Sequence, residues 1–334
     1  MRPEKPIPMV TLREFDRAMK DYWGNTIPRP VRVGKMGKSL EQLAYSRPET
    51  LPFLRALEGS AGFRRGEKVQ RLAVTLYQEG LFQWVLQIQA TAGKQRRNLC
   101  LTVSKDAVKF ARIARREHGI LQTLAQRNPQ AVVAVLQGAD IPLVEDRYQG
   151  ALYGYFSHFL TGFTELGIDE RHRFFLVGQE EATRLSKSEC EDVRARMVEA
   201  LASLFDPKTG SALTEVEVNS GDFMGRNDRG AVEVRLIAAR NLRSGFSPAG
   251  FLKHLLNPMG ANAEKPFFIV PSRVGQLVNA LTVGLAVPLG SREEARAFLQ
   301  QAVRQARRKK LEILHPEITW ADLDEKLKTT PPTP

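Results

Sequence analysis

At 334 residues the chain is long enough to bury a large core, as one bilobal unit or as two domains. A hydrophobic content of 43% beside 26% charged residues excludes wholesale disorder. Lys and Arg number 49 against 37 Asp and Glu, and the resulting +12 favours anionic partners such as nucleotides, nucleic acid or an acidic membrane surface without choosing among them.

Residues 1–66 mix proline punctuation (Pro28, Pro30, Pro48, Pro52) with short helical pieces. Thr11 opens one of these, with Phe15, Met19 and Trp23 on a single face. This region reads as an N-terminal extension packed on the main body. It lacks the apolar core of a signal peptide. From Arg71 apolar and polar residues alternate, which predicts strands over 71–77, 84–89 and 98–103. The short connections at Glu79-Gly80 and Ala92-Gly93-Lys94 suit antiparallel hairpins. Phe110, Ile113, Glu117, Ile120, Leu121 and Leu124 then recur at helical spacing, and Asn128-Pro129 ends that helix. Strands at 131–136 and 151–159 complete an α+β lobe.

Beyond Thr161 the pattern reads as mainly helical, notably over 189–205 and 291–311. Val274–Leu289 is the longest weakly polar stretch. Gln276 and Asn279 interrupt it, and Arg273 and Arg292 bound it, so it reads as a buried helix with a proline-containing turn and not as a membrane span. The two cysteines, Cys100 in an apolar run and Cys190 in a charged one, argue against a structural disulfide and fit a reducing compartment, so a cytoplasmic location is expected.

The segment Gly221-Asp222-Phe223-Met224-Gly225-Arg226-Asn227 places an acid five residues before an amide, in what reads as a loop between a helix and a strand. Upstream, Val103-Ser104-Lys105 ends the third strand, and Glu117 lies twelve residues on in the long helix. Together with the element order, these residues resemble a protein-kinase-like fold. Gly221 before Asp222 is closer to the aminoglycoside and choline phosphotransferase branch than to protein kinases, although Ser220 stands where that branch has histidine. The resemblance implies a bilobal α+β protein: a small antiparallel-sheet lobe with one long helix at 67–160 and a mainly helical large lobe at 161–327, while Lys328-Thr329-Thr330-Pro331-Pro332-Thr333-Pro334 reads by its own composition as a disordered tail. It implies ATP as ligand, with Lys105 contacting phosphate and Glu117 positioning Lys105. Asp222 takes the place of the catalytic base that orients an acceptor hydroxyl, and Asn227 that of a magnesium ligand. The strand at 154–159 takes the place of the one leading into the hinge, where backbone groups bind the adenine. His158 within it reads as a packed histidine.

Two departures change the expected function. Only Gly80 stands where a glycine-rich phosphate loop would lie. Ile237-Ala238-Ala239-Arg240 fills the place of the second metal-binding acid, which weakens the case for magnesium and puts a guanidinium where the metal would sit. The expectation is therefore a nucleotide-binding pseudokinase or an atypical small-molecule phosphotransferase with a degraded metal site. The alternative is a non-enzymatic scaffold whose basic surface binds nucleic acid or an acidic protein. For that reading the basic helix carrying Arg292, Arg296, Arg304, Arg307, Arg308, Lys309 and Lys310 is the first candidate surface.

Overall fold

The structure is a computed structural model that describes residues 71–79, 82–92, 94–104, 108–142, 151–168, 173–177, 182–216, 222–228, 231–257 and 268–329. The N-terminal extension, Lys105, residues 217–221 and residues 330–334 lie outside these. The described chain is mixed α+β, with antiparallel sheets and six helices, and it divides into two compact units. The boundary falls within the first helix, after Gly119, and residues 120–133 belong with the second unit.

In the first unit, β1 (Arg71–Glu79), β2 (Gln83–Ala92) and β3 (Gln95–Ser104) precede α1 (Lys109–Arg127), and β4 (Val135–Pro142) and β5 (Ala151–His158) follow it. The strands form one antiparallel sheet in the order β1-β2-β3-β5-β4. Alternation along the strands explains its two faces. Trp84, Leu86 and Ile88 pair with Val103, Leu101 and Leu99, and with Phe156 they make a fully apolar, buried face. The opposite face carries Cys100, Thr102 and Ser104 of β3 and Tyr155 and Ser157 of β5. It is this more polar face that receives α1.

The three-strand, helix, two-strand order is the one the sequence predicts. The fourth strand differs: it begins at Val135, because residues 131–133 join a strand of the second unit instead. There, Val133 donates to the Leu236 carbonyl and Leu236 to the Ala131 carbonyl, both at 2.9 Å.

The second unit is richer in helix than in strand, and beside its helices it has a sheet that the sequence reading does not include. It holds a five-stranded antiparallel sheet, ordered β11-β10-β6-β7-β8, from β6 (Thr164–Ile168), β7 (Phe174–Val177), β8 (Ala182–Arg184), β10 (Phe223–Asp228) and β11 (Ala231–Leu236). A small pair joins β9 (Ala212–Leu213) to β12 (Leu242–Arg243). Strands of three to six residues with Gly167 and Gly225 inside them give too few alternations for a periodic signal.

Five helices complete this unit. They are α2 (Lys187–Ser203), α3 (Pro248–Leu256), α4 (Val274–Leu289), α5 (Arg292–Arg308) and α6 (Trp320–Thr329). α2 starts two residues before its predicted onset. Ser186 caps it by accepting from the Glu189 N–H, while the Glu189 carboxylate accepts from the Ser186 N–H at 2.8 Å. α4 is the buried helix expected, with Pro288 in its last turn and Gly290 at φ 94° closing it. Gly284 lets it approach α2, since a Cβ there would lie 2.4 Å from the Glu199 carbonyl oxygen. Phe205 stacks on Phe251 at 4.1 Å and meets Phe298 at 5.7 Å, which fixes the core between α2, α3 and α5. Lys328 and Thr329, assigned from sequence to a disordered tail, are the last residues of α6. Among the described residues no single helix is long and apolar enough to cross a membrane.

Candidate functional site

Of the four residues singled out by sequence, Glu117 has the most informative surroundings. The period of α1 turns it toward the sheet, where it is only 5% exposed. Its Oε2 accepts from Gln83 Nε2 of β2 at 2.5 Å. The Tyr155 hydroxyl of β5 donates to the same carboxylate and accepts from Thr102 of β3. Desolvation first, then the Glu117 charge, hold the Tyr155 hydroxyl well above its ordinary pKa. Tyr155 therefore stays a proton donor to the carboxylate. Beside it, the Cys100 thiol is pushed up to about 11 by burial, against the hydrogen bonds of Ser157 and Thr102.

His118, the next residue of α1, extends this polar layer. Its ring stacks on Tyr155 at 5.0 Å. Nε2 lies 2.9 Å from the Leu136 carbonyl oxygen, and Nδ1 lies 2.7 Å from the Tyr153 hydroxyl. A carbonyl only accepts, so Nε2 carries the proton and Nδ1 accepts from Tyr153. Burial keeps the imidazole below its ordinary pKa, opposed by the Leu136 carbonyl. Gly138 makes the approach feasible. A Cβ there would stand 2.2 Å from the Tyr153 hydroxyl and 2.8 Å from the His118 ring. Lys105 follows Ser104, the last residue of β3, and lies outside the described residues.

The second pair of predicted residues is arranged differently from the sequence reading. Asp222 and Asn227 do not share a loop. Asp222 immediately precedes β10, its carbonyl accepting from the Ile237 N–H at 2.9 Å, and Asn227 lies within β10 opposite Val232. Five residues of extended chain span about 16 Å and turn the two side chains to opposite faces. Asp222 is 1% exposed, and its Oδ1 lies 3.1 Å from Arg240 Nη2. The approach is off the hydrogen-bond direction, so the contact is an ion pair more than an aligned hydrogen bond. Asn227 is exposed and donates to Glu189 Oε1 at 2.6 Å, tying β10 to the capped start of α2. The Glu189 carboxyl is held below its usual range, first by the Ser186 side chain and the Ser186 N–H, with Asn227 contributing. These placements do not fit a magnesium site shared by Asp222 and Asn227. Among the described residues, no group of three or more His, Cys, Asp or Glu side chains is placed to hold a metal ion.

His158, read from sequence as a packed histidine, is exposed at the end of β5. The basic helix α5 has a structural explanation. Glu293 and Glu294 sit in its first turn and Arg307 and Arg308 in its last, which matches the helix dipole. Arg307 also pairs with Asp324 of α6 at 2.5 Å, and Arg296 donates to the Leu327 carbonyl. Sequence reasoning missed Gln83, His118, Tyr153 and Tyr155. For Tyr153 and Tyr155 the signal was present as polar residues at every second position of β5, whereas Gln83 and His118 follow no such pattern. Comparison with protein-family models and with curated proteins finds no match to this chain.

Proposed function

We propose that this protein is a kinase-like nucleotide-binding protein that has lost the working geometry for phosphoryl transfer, that is, a pseudokinase. The observation that carries the reading is the buried Glu117 carboxylate on the one helix packed against a three-strand, helix, two-strand antiparallel sheet. In this reading Lys105 neutralises nucleotide phosphate, and Glu117 positions Lys105 without touching the ligand. The loss of transfer chemistry is supported by Asp222. A general base must reach the proton of an acceptor hydroxyl, whereas Asp222 is buried against the Arg240 guanidinium. Asn227 is likewise committed to Glu189. Nucleotide binding is therefore expected without magnesium.

Calorimetric titration of the full chain with ATP, in chelator and in magnesium, tests this directly. Wild type should bind equally in both. Lys105→Ala should bind at least about tenfold more weakly, a loss of roughly 1.4 kcal/mol. No binding in either condition overturns the nucleotide reading. Phosphoryl transfer to water or to an added alcohol that disappears in Asp222→Asn would overturn the loss of transfer chemistry.

A further inference from the structure

The tip of the β2–β3 hairpin carries a charge pattern that the sheet itself does not require. Gln83–Ser104 contains no acid, while Lys94, Arg96 and Arg97 gather at the turn and are all exposed. The strands place these cations around a projecting ribbon. β3 pairs with β5 from Leu99 to Val103, so among the described residues Gln95–Arg97 have a strand on the β2 side alone. Arg97 stands two residues before Leu99, on the apolar face of the sheet, and Arg96 lies on the opposite face with Cys100 and Thr102. The two arginines therefore flank the ribbon on both faces, with Lys94 at its end. Arg96 donates to Gln89 Oε1, and Arg97 to Gln95 Oε1 at 3.3 Å. Both acceptors are neutral amides, which orient the guanidinium groups and leave their charge in place. Across the hairpin Arg96 and Arg97 stand opposite Thr91 and Ala90, so no acid opposes them there. Protecting an open edge from pairing with another chain explains one charge of either sign. It does not explain three of the same sign within Lys94–Arg97.

We infer that this hairpin tip docks on the phosphate backbone of duplex DNA, with the ribbon entering the major groove. Charge complementarity selects a polyanion. The B-form major groove admits a two-stranded β-ribbon. A ribbon that enters tip-first has the phosphates of both strands beside its two faces, where Arg96 and Arg97 stand. The A-form groove of an RNA duplex is too deep and narrow for this. An unpaired strand is held by stacking its bases on aromatic rings, and Ala90–Asn98 holds none. The same segment has no large apolar side chain with which to enter a membrane. Arginine guanidinium matches phosphate oxygens in a bidentate fashion. Alternate main-chain N–H groups along Gln95–Arg97 point away from β2 and supply further donors. The surface is independent of the nucleotide reading. Glu117 meets Gln83, which pairs with Ser104 at the far end of the same hairpin, about 30 Å of extended chain from the tip.

Fluorescence anisotropy of the full chain with a labelled random-sequence DNA duplex of about 20 base pairs, titrated across salt, reads this out. Wild type should bind at low salt, and more tightly than it binds either separated strand. Lys94→Gln, Arg96→Gln and Arg97→Gln together should weaken binding at least about tenfold and lower the log–log salt slope by roughly 2–3. Lys94→Gln alone, at the turn, should lower the slope by about 1, so the test survives if the triple variant folds poorly. Arg304→Gln with Arg308→Gln on α5 should leave binding within about twofold of wild type. ATP titration of the triple variant should match wild type. The proposal is overturned by wild type that does not bind the duplex at low salt or prefers the single strand. It is equally overturned by an unchanged salt slope in the hairpin variants, by a loss that follows the α5 variant instead, or by wild type that binds phosphatidylserine vesicles but not the duplex.

Discussion

In the first unit α1 meets its sheet through Glu117, His118, Tyr153 and Tyr155, with Gln83 and Thr102 as hydrogen-bond partners. In the second unit the helices meet through Phe205, Phe251, Leu277 and Leu281, with Gly284 allowing close approach. Apolar packing is non-directional and is measured by volume filled. A buried polar layer depends on each donor finding its acceptor, and it becomes costly when one partner is lost. The helix packing of the second unit therefore has the composition of a structural core, and the carboxylate that unit does bury, Asp222, faces the Arg240 guanidinium away from that packing's aromatic contacts. The first keeps a carboxylate in a position that packing alone does not require, and for that reason the functional reading rests on it.

The largest expected effect lies on the apolar side of this comparison. Phe205→Ala should cost about 3–5 kcal/mol in denaturant unfolding, by lost burial and a residual cavity. A loss below about 1 kcal/mol would mean the second unit repacks freely and is no rigid core. On the polar side, Gly138→Ala should cost roughly 1 kcal/mol, because its Cβ displaces the Tyr153 hydroxyl from His118. A variant that keeps full stability would show that the layer tolerates rearrangement.

The smallest effect is a pH dependence. His118, His254 and His315 are all held below their ordinary value of 6.5, each chiefly by burial. Such a group is neutral in the folded protein while the unfolded chain takes up its proton. Stability is then fully present above about 6.5 and falls as pH drops through that value toward the lowered folded pKa. The thermal midpoint should decline below that pH. His118→Gln should make the decline shallower without abolishing it, since two histidines remain. An identical profile in the variant would place His118 outside the linkage.

The first unit was legible in the sequence because its strands are eight to ten residues long and α1 runs for 19, enough for alternation and helical spacing to repeat. The second-unit sheet was not legible. Thr164–Ile168 and Ala182–Arg184 are too short to show a period, and their pairing depends on partners distant in sequence. The candidate site divides in the same way. Glu117 follows from its position on a helical face. The Asp222 and Asn227 spacing resembles a loop motif, yet Phe223, Val232, Val234 and Leu236 bury as a hairpin and carry the segment into extended chain. Arg240 lies 18 residues beyond Asp222, and no local pattern indicates their pairing.

The most direct test of the account is calorimetric titration with ATP, in chelator, of wild type and Glu117→Gln. The substitution keeps the shape and removes the charge. The account predicts a thermal midpoint lowered by a few degrees, because the new amide leaves one of the Gln83 and Tyr155 donors without its acceptor, and ATP affinity of the folded protein reduced at least about tenfold. Equal affinity in the two proteins would contradict it and make Glu117 a packing residue of the polar layer.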